Sequence, residues 1–334
     1  MVRLLPEWEL TRAVLLAYPS LGSDWTTHLY EARACVQRIV GHILEYQDVI
    51  LLHGADVHRV RADFPTTGRH RLWFYQTEFN DTWTRDYGPI TIAQNDQLKL
   101  LDFQFNGWGL KFPANLDNQI TAKLHAASLL GEHPLQTEAM ILEGGSIETD
   151  GRGTLLTTRA CLRAPNRNPT WQQADFEHYF RKTLGIERVL WLNHGYIPGD
   201  DTDAHIDTLA RFCDPETICY VGPGSSDDHQ RQQLHLMEEQ LKTFRQPNGK
   251  PYRLVPLPAA PPIYAEDGHA LPATYANFLI LRGAVLLPLY GVGTDTAALE
   301  TLKRIFPKRK VIGVDCRVLI EQHGSLHCMT MGVG

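Results

Sequence analysis

Four short segments set acids, histidines and one cysteine among apolar neighbours. In GDDTDAHIDTLARF, residues 199–212, Asp201, Asp203, His205 and Asp207 recur at every second position. On an extended strand such residues share one face. The segment is therefore expected to present four ionisable groups together, ahead of Leu209 and Phe212. In HGSLHCMTMGVG, 323–334, Cys328 follows Gly324 and His327. A cysteine attacks well once a partner handles its proton, and the His-x-Asp of 205–207 could be that partner. In ILEGGSIETDGRGTLLTT, 141–158, Glu143 ends an apolar run. Burying it alone would be costly, so it either reaches water or meets a partner in a site. Gly144 and Gly145 permit close backbone approach, and Asp150–Gly151 predicts a hairpin turn. In DTWTRDYGPI, 81–90, Trp83, Arg85 and Asp86 precede a Gly88–Pro89 turn. Taken alone, Arg85 and Asp86 read as a structural pair.

A metal centre is the rival reading, because His and Asp are common ligands. An EF-hand loop counted from Asp201 fails: Ile206 stands where glycine is needed and Phe212 where glutamate is needed. No H-E-x-x-H or second histidine cluster completes a zinc set. The six cysteines, Cys35, Cys161, Cys213, Cys219, Cys316 and Cys328, form no C-x-x-C pair. Scattered in this way they read as reduced thiols in the cytoplasm, most of them small core residues.

These segments must be held by an ordered frame. Five stretches have helical character, 28–46, 115–130, 170–184, 227–245 and 294–306. Leu234, Met237 and Leu241 form an apolar stripe on the fourth, and Asp227 and Thr294 are N-cap candidates. Each helix lies between two short apolar runs, so strand–helix–strand recurs five times. The runs before the helices are 13–18, 98–105, 153–158, 217–222 and 284–290. Those after are 48–52, 139–142, 188–192, 252–257 and 310–314. RLWFYQ at 71–76 and YANFLI at 275–280 are further extended candidates, and Pro256–Pro262 reads as an exposed loop. The pattern suits an α/β fold, yet no G-x-G-x-x-G or phosphate loop follows the first strand. With 334 residues, 43% of them hydrophobic and 21% charged, the chain can bury a large core. Its formal charge of −6 makes nucleic acid an unlikely main partner and is compatible with a cationic substrate. No apolar stretch approaches a bilayer span, and Pro6, Glu7 and Glu9 break a signal-peptide reading.

Taken in order, WTRDYGP, FNGWGLKFP (105–113), EGGSIETDGRGT, GDDTDAHIDTLARF, YANFLI and HGSLHC resemble the agmatine deiminase family of guanidino-group-modifying enzymes, the bacterial type of peptidyl-arginine deiminase. They run from residue 83 to 328. Two departures stand out: EQHGSLHC replaces the family's Gly-rich GGGNIHC, and Met331 and Gly332 stand where a glutamine often follows. The resemblance implies a single catalytic domain over 1–334, built as a five-bladed α/β propeller with the polar segments meeting at its axis. It implies hydrolysis of agmatine to N-carbamoylputrescine and ammonia, in polyamine biosynthesis. Cys328 would be the nucleophile and His205 the proton carrier. Asp86 and Asp207 would grip the guanidinium, and Glu143 would orient His205. Trp83 would line the aliphatic stem, and Asp201 would meet the distal ammonium with Asp203 as its rival. No cofactor and no metal would be needed, nor any nucleic-acid or membrane partner, while a homodimer stays open. Other guanidino substrates (peptidyl-arginine or free arginine), an amidino transfer, a metal-dependent hydrolase and a silent binding protein remain alternatives.

Overall fold

The computed structural model describes residues 2–55, 57–64 and 68–334. After β1 (Val2–Leu4), the first unit is β2 (Ala13–Ala17), a helix over Leu29–Ile43 and β3 (Asp48–His53), with β4 (Leu72–Gln76) alongside. The second is β5 (Ile90–Gln94), β6 (Gln97–Gln104), a helix over Ile120–Ala126 and β7 (Leu135–Ile141). The third is β8 (Ile147–Thr149), β9 (Thr154–Thr158), a helix over Gln173–Leu184 and β10 (Arg188–Leu192). The fourth is β11 (Ala210–Asp214), β12 (Thr217–Val221), a helix over Asp228–Thr243 and β13 (Arg253–Leu257). A hairpin, β14 (Ile263–Tyr264) with β15 (Ala270–Leu271), precedes the fifth unit. That unit is β16 (Leu279–Ile280), β17 (Ala284–Leu289), a helix over Asp295–Ile305 and β18 (Lys310–Asp315). The chain finishes in β19 (Met331–Val333).

The five units share one pairing rule. The strands flanking each helix pair in parallel, β2 with β3, β6 with β7, β9 with β10, β12 with β13 and β17 with β18. The first strand of each pair also takes an antiparallel neighbour: β19, β5, β8, β11 and β16 respectively. In four units that neighbour comes just before the pair in sequence. In the first it is β19, so the two ends of the chain share a sheet. The result is a mixed α/β fold of six sheets among the described residues, none closed on itself. Central strands such as β2 (AVLLA) and β12 (TICYV) are buried throughout, as runs covered on both faces must be. The first helix buries Ala32, Cys35, Val36, Ile39, Val40 and Ile43, one stripe at helical spacing.

All five expected strand–helix–strand units are present, with shorter elements in places. The second helix keeps only Ile120–Ala126 of the expected 115–130, preceded by a single 3-10 turn. Asp227 caps its helix, its side chain accepting from the Gln230 amide at 2.6 Å. Thr294 occupies its cap position without a capping bond and instead meets the Tyr275 hydroxyl at 2.8 Å. Pro256–Pro262 is not an exposed loop throughout: Pro256 and Leu257 end β13, and Ala259 and Ala260 are buried. In YANFLI only Leu279–Ile280 is strand. The expected strand across 201–207 is absent. It is a loop with Asp203 and Ala204 at positive φ (67° and 63°), then a 3-10 turn, and strand begins only at Ala210. Two consecutive left-handed residues break the period-two alternation, so the four ionisable groups do not share a face.

What replaces that face is the repeat itself. The segment just before each unit's antiparallel strand carries a polar residue of the site: Asp86 before β5, Glu143 before β8, Asp207 before β11, Asn277 before β16 and Cys328 before β19.

Candidate active site

Asp86 lies on a one-turn helix, Thr84–Tyr87. The Thr84 hydroxyl donates within 2.9 Å of both the Leu15 and Met329 carbonyls, and the Arg85 amide donates to the Cys328 carbonyl at 3.2 Å. These bonds fasten the Asp86 turn to the Cys328 segment, 242 residues later in the chain. Gly144 packs against the same turn. A Cβ there would stand 2.2 Å from the Arg85 carbonyl oxygen, so only glycine fits. Arg85 itself pairs with Glu7 at 2.8 Å and not with Asp86, so the expected Arg85–Asp86 pair does not form.

Both Asp86 oxygens are held. The Trp108 indole N–H donates to Oδ2 at 2.9 Å, and the Gly145 amide donates to Oδ1 at 2.9 Å. His205 Nδ1 lies 3.7 Å from Oδ1, and His205 Nε2 lies 3.6 Å from Glu143 Oε2. A Cβ on Gly145 would meet His205, Asp86 and Asp207 at 2.6, 2.9 and 3.1 Å, so three of the expected site residues close around this glycine. His205 is fully buried, and neither ring nitrogen has a hydrogen-bond partner. Burial alone would push its pKa down, but Asp86 foremost, then Cys161 and Glu143, carry it well above the usual histidine value. The imidazole is therefore held protonated. Glu143 is not a free acid: the Arg167 Nε–H lies 2.8 Å from both of its oxygens. Despite burial, its pKa is lowered by His205 and Arg167.

Cys328 packs against Asp207 and Asn277. The Asn277 amide donates to its sulfur at 3.2 Å, and the sulfur lies 3.9 Å from Asp207 Oδ2. Asn277 Oδ1 in turn accepts from the His327 and Cys328 amides at 2.8 and 3.3 Å. Asp207 Oδ2 lies 2.7 Å from His327 Nδ1, whereas Oδ1 is buried with no partner. His327 Nε2 lies 2.6 Å from Glu7, which also receives Arg85 and Arg211 at 2.8 and 3.0 Å. Burial opposes ionisation of Glu7, yet His327, Arg211 and Arg85 lower its pKa. For Asp207 too, burial is outweighed, here chiefly by His327, and the pKa falls. The thiol of Cys328 moves the other way. Burial first, then Asp207 and Asp86, push it well above the ordinary cysteine value. In the free protein Cys328 is a neutral thiol, more so than a free cysteine would be.

A cleft opens on this cluster. Cys328, Asp86 and Asn277 lie at its buried end, and Trp83, Trp108 and Phe112 supply aromatic walls. Four carboxylates line it, those of Asp24, Asp81, Asp86 and Asp201, with no Lys or Arg among the described lining residues. Burial raises Asp81 to about 7, helped by Asp24 and Asp201, and raises Asp201 to about 6. His205, Asp207 and Glu143 are fully buried at the closed end of the cleft, with His205 against Asp86 and Glu143, and Asp207 against Cys328.

The cluster thus unites Cys328, His205, Asp86, Asp207 and Glu143, while Trp83 and Asp201 line the cleft. Asp203 is the exception. It turns away to Lys111 and Arg167 at 2.9 and 2.6 Å. Sequence reasoning missed Asp24, Asp81, Trp108, Asn277, His327, Arg167 and Glu7. Asp81, Trp108, Asn277 and His327 lie inside motifs already singled out. Glu7 gives no local signal, since it meets His327 only through a contact spanning 320 residues.

The chain matches the family described as Porphyromonas-type peptidyl-arginine deiminase over residues 3–333. It is 28% identical to the agmatine deiminase of Pseudomonas aeruginosa, covering 98% of this chain and 94% of that one. A cysteine-to-serine variant of C. jejuni agmatine deiminase, solved with substrate bound, superposes with a TM-score of 0.91 at 36% identity, covering 99% and 96% of the two chains. A Porphyromonas gingivalis structure, provisionally named an arginine deiminase, gives 0.93 at 47% identity, covering 99% and 98%.

Proposed function

The chain belongs to the Porphyromonas-type peptidyl-arginine deiminase family, and from that premise we propose that it hydrolyses agmatine to N-carbamoylputrescine and ammonia. The observation that carries the substrate assignment is the cleft wall of four carboxylates, with no Lys or Arg among the described lining residues. Agmatine is cationic at both ends, so it suits acids at the buried and the outer end alike. Free arginine would bring its own carboxylate against Asp24, Asp81 and Asp201, where like charges repel.

The guanidinium docks on Asp86 and on the open Oδ1 of Asp207, which fixes its carbon beside Cys328. Asp207 and Asp86 are the charges that raise the thiol pKa, so a cation placed between them favours thiolate. The thiol proton then leaves to water as the substrate binds. The thiolate adds to the guanidinium carbon, and the tetrahedral adduct expels ammonia as its C–N bond breaks. His205, already protonated, gives the departing nitrogen its proton. Neutral His205 next takes a proton from water, whose oxygen adds to the thiouronium carbon. Collapse of that adduct breaks the C–S bond, forms the C=O bond as the hydroxyl proton leaves to water, releases the urea product and restores the thiolate. Glu143 and Asp86 hold His205 from its two nitrogens, Trp83 flanks the aliphatic stem, and Asp201 receives the ammonium. Cys161 is not the nucleophile in this reading: its sulfur faces Glu143 at 3.7 Å, whereas the Cys328 sulfur meets Asn277 and Asp207 at the end of the cleft it lines.

The five units of one pairing rule, joined by β19 to β2, support a five-bladed propeller in a single domain with these residues at its axis. A cytoplasmic place in polyamine formation suits the product, and a homodimer is compatible with the fold. The test is product formation from agmatine, free arginine and a peptidyl-arginine in parallel. Agmatine should be turned over most efficiently. Faster citrulline formation from free arginine would transfer the assignment to that substrate.

A further inference from the structure

One buried thiol stands beside the proton carrier, where it helps raise the His205 pKa, but it forms no bond and moves no proton in the chemistry above. Cys161 sits on a one-turn helix, Arg159–Leu162, and is fully buried. Its sulfur lies 3.7 Å from Glu143 Oε2. The same oxygen lies 3.6 Å from His205 Nε2, a buried nitrogen with no hydrogen-bond partner. One ligand atom from each of Glu143, Cys161 and His205 falls within 4.8 Å of the others. Zinc bonds of about 2.0–2.3 Å in tetrahedral geometry put neighbouring ligand atoms roughly 3.3–3.8 Å apart. The two measured edges fall in that range. Thiolate, imidazole and carboxylate are also a donor set that zinc favours over calcium or magnesium.

We propose that Glu143, Cys161 and His205 form an inhibitory site for a thiophilic divalent cation of the zinc class. The ion would bond to the Cys161 sulfur, a Glu143 oxygen and His205 Nε2. Two protons, from the thiol and from the imidazolium, leave to water as it binds. One dication replaces two protons, so the net charge of the buried trio does not change, and burial exacts no added penalty on charge. Arg167 Nε lies 2.8 Å from both Glu143 oxygens and fixes the carboxylate, so a metal-bonded Oε2 would keep Arg167 on its second lone pair. Access requires a local opening. Thr202 lines the cleft and its carbonyl accepts from Arg167, and the next two residues, Asp203 and Ala204, hold strained positive φ. Binding abolishes turnover because the ion takes the nitrogen lone pair that His205 needs for proton transfer.

The test uses zinc and cobalt ions as probes on the full-length protein. In Cys328→Ala, which lacks the proposed nucleophile, Co²⁺ should bind at one equivalent with a thiolate-to-cobalt absorption band. The band should vanish in Cys328→Ala/Cys161→Ala. In otherwise wild-type protein, Cys161→Ser and Cys161→Ala should each weaken zinc inhibition at least about 100-fold, since even loss of an outer partner costs 10–100-fold in affinity. Agmatine turnover without metal should persist in whichever of the two folds. The cobalt measurement does not depend on substrate, so it stands or falls apart from the substrate assignment. Absence of the band in Cys328→Ala, or full zinc sensitivity in the Cys161 variants, would overturn the site and place any inhibition on Cys328.

Discussion

At the scale of single residues, the division between grip, nucleophile and proton carrier makes distinct demands. His205→Ala should slow turnover at least about 10²-fold, the usual scale for a lost general acid–base. The substrate's far end can be tested separately. Asp201→Asn should lose roughly 10- to 150-fold in kcat/KM towards agmatine, the cost of about 1.5–3 kcal/mol for a charge-assisted contact. It should lose much less towards an alkylguanidine of equal length without the amine. Equal losses on both substrates would make Asp201 scaffolding. Protonation gives a second handle. Asp81 is raised to about 7 and Asp201 to about 6, so both take up protons as pH falls through that range. A protonated carboxyl no longer holds an ammonium, and agmatine binding should therefore weaken from about pH 8 to about pH 5, whereas the amine-free analogue should respond less. Parallel pH profiles of KM for the two compounds would remove these acids from amine recognition.

At the scale of elements, glycines and caps separate packing from chemistry. Gly145→Ala should lower turnover at least about 10²-fold, because its methyl would push aside His205, Asp86 and Asp207, and displacements of about 1 Å cost that much. Asp227→Ala should cost about 1 kcal/mol in a denaturant titration and leave turnover unchanged, since it only uncaps the Asp228–Thr243 helix. A matching turnover loss in Asp227→Ala would tie that helix to the site. Elements also mark what sequence could and could not convey. The five strand–helix–strand units were legible because a buried strand reads as an apolar run and a surface helix as a stripe. The loop at 199–208 was not. Alternating Asp and His imitate a strand, and nothing local announces that Asp203 and Ala204 turn left-handed to serve Arg167. Asn277 lay in plain view within YANFLI. Its role becomes visible only when the units are aligned by their antiparallel strands, where it matches Asp86, Glu143, Asp207 and Cys328.

At the scale of the whole molecule, contacts between distant segments decide the chemistry. Glu7 reaches His327, His327 reaches Asp207, and β19 brings Cys328 into the sheet that holds β2. Such links, spanning from 120 to 320 residues, leave no periodic trace, and for that reason Glu7 was invisible to sequence. They also explain why the resemblance, carried by an ordered set of motifs, reached further than any spacing argument. Chelator should leave agmatine turnover intact or raise it, because the proposed chemistry uses only side chains. Activity lost in chelator and restored by one divalent ion would instead revive the metal-dependent reading. The most direct test is to quench the enzyme in acid during turnover of agmatine and map the adduct by peptide mass spectrometry. A thiouronium adduct is expected on Cys328 and on none of Cys35, Cys161, Cys213, Cys219 and Cys316, with no turnover in folded Cys328→Ala. An adduct on Cys161, or undiminished ammonia release from Cys328→Ala, would contradict it.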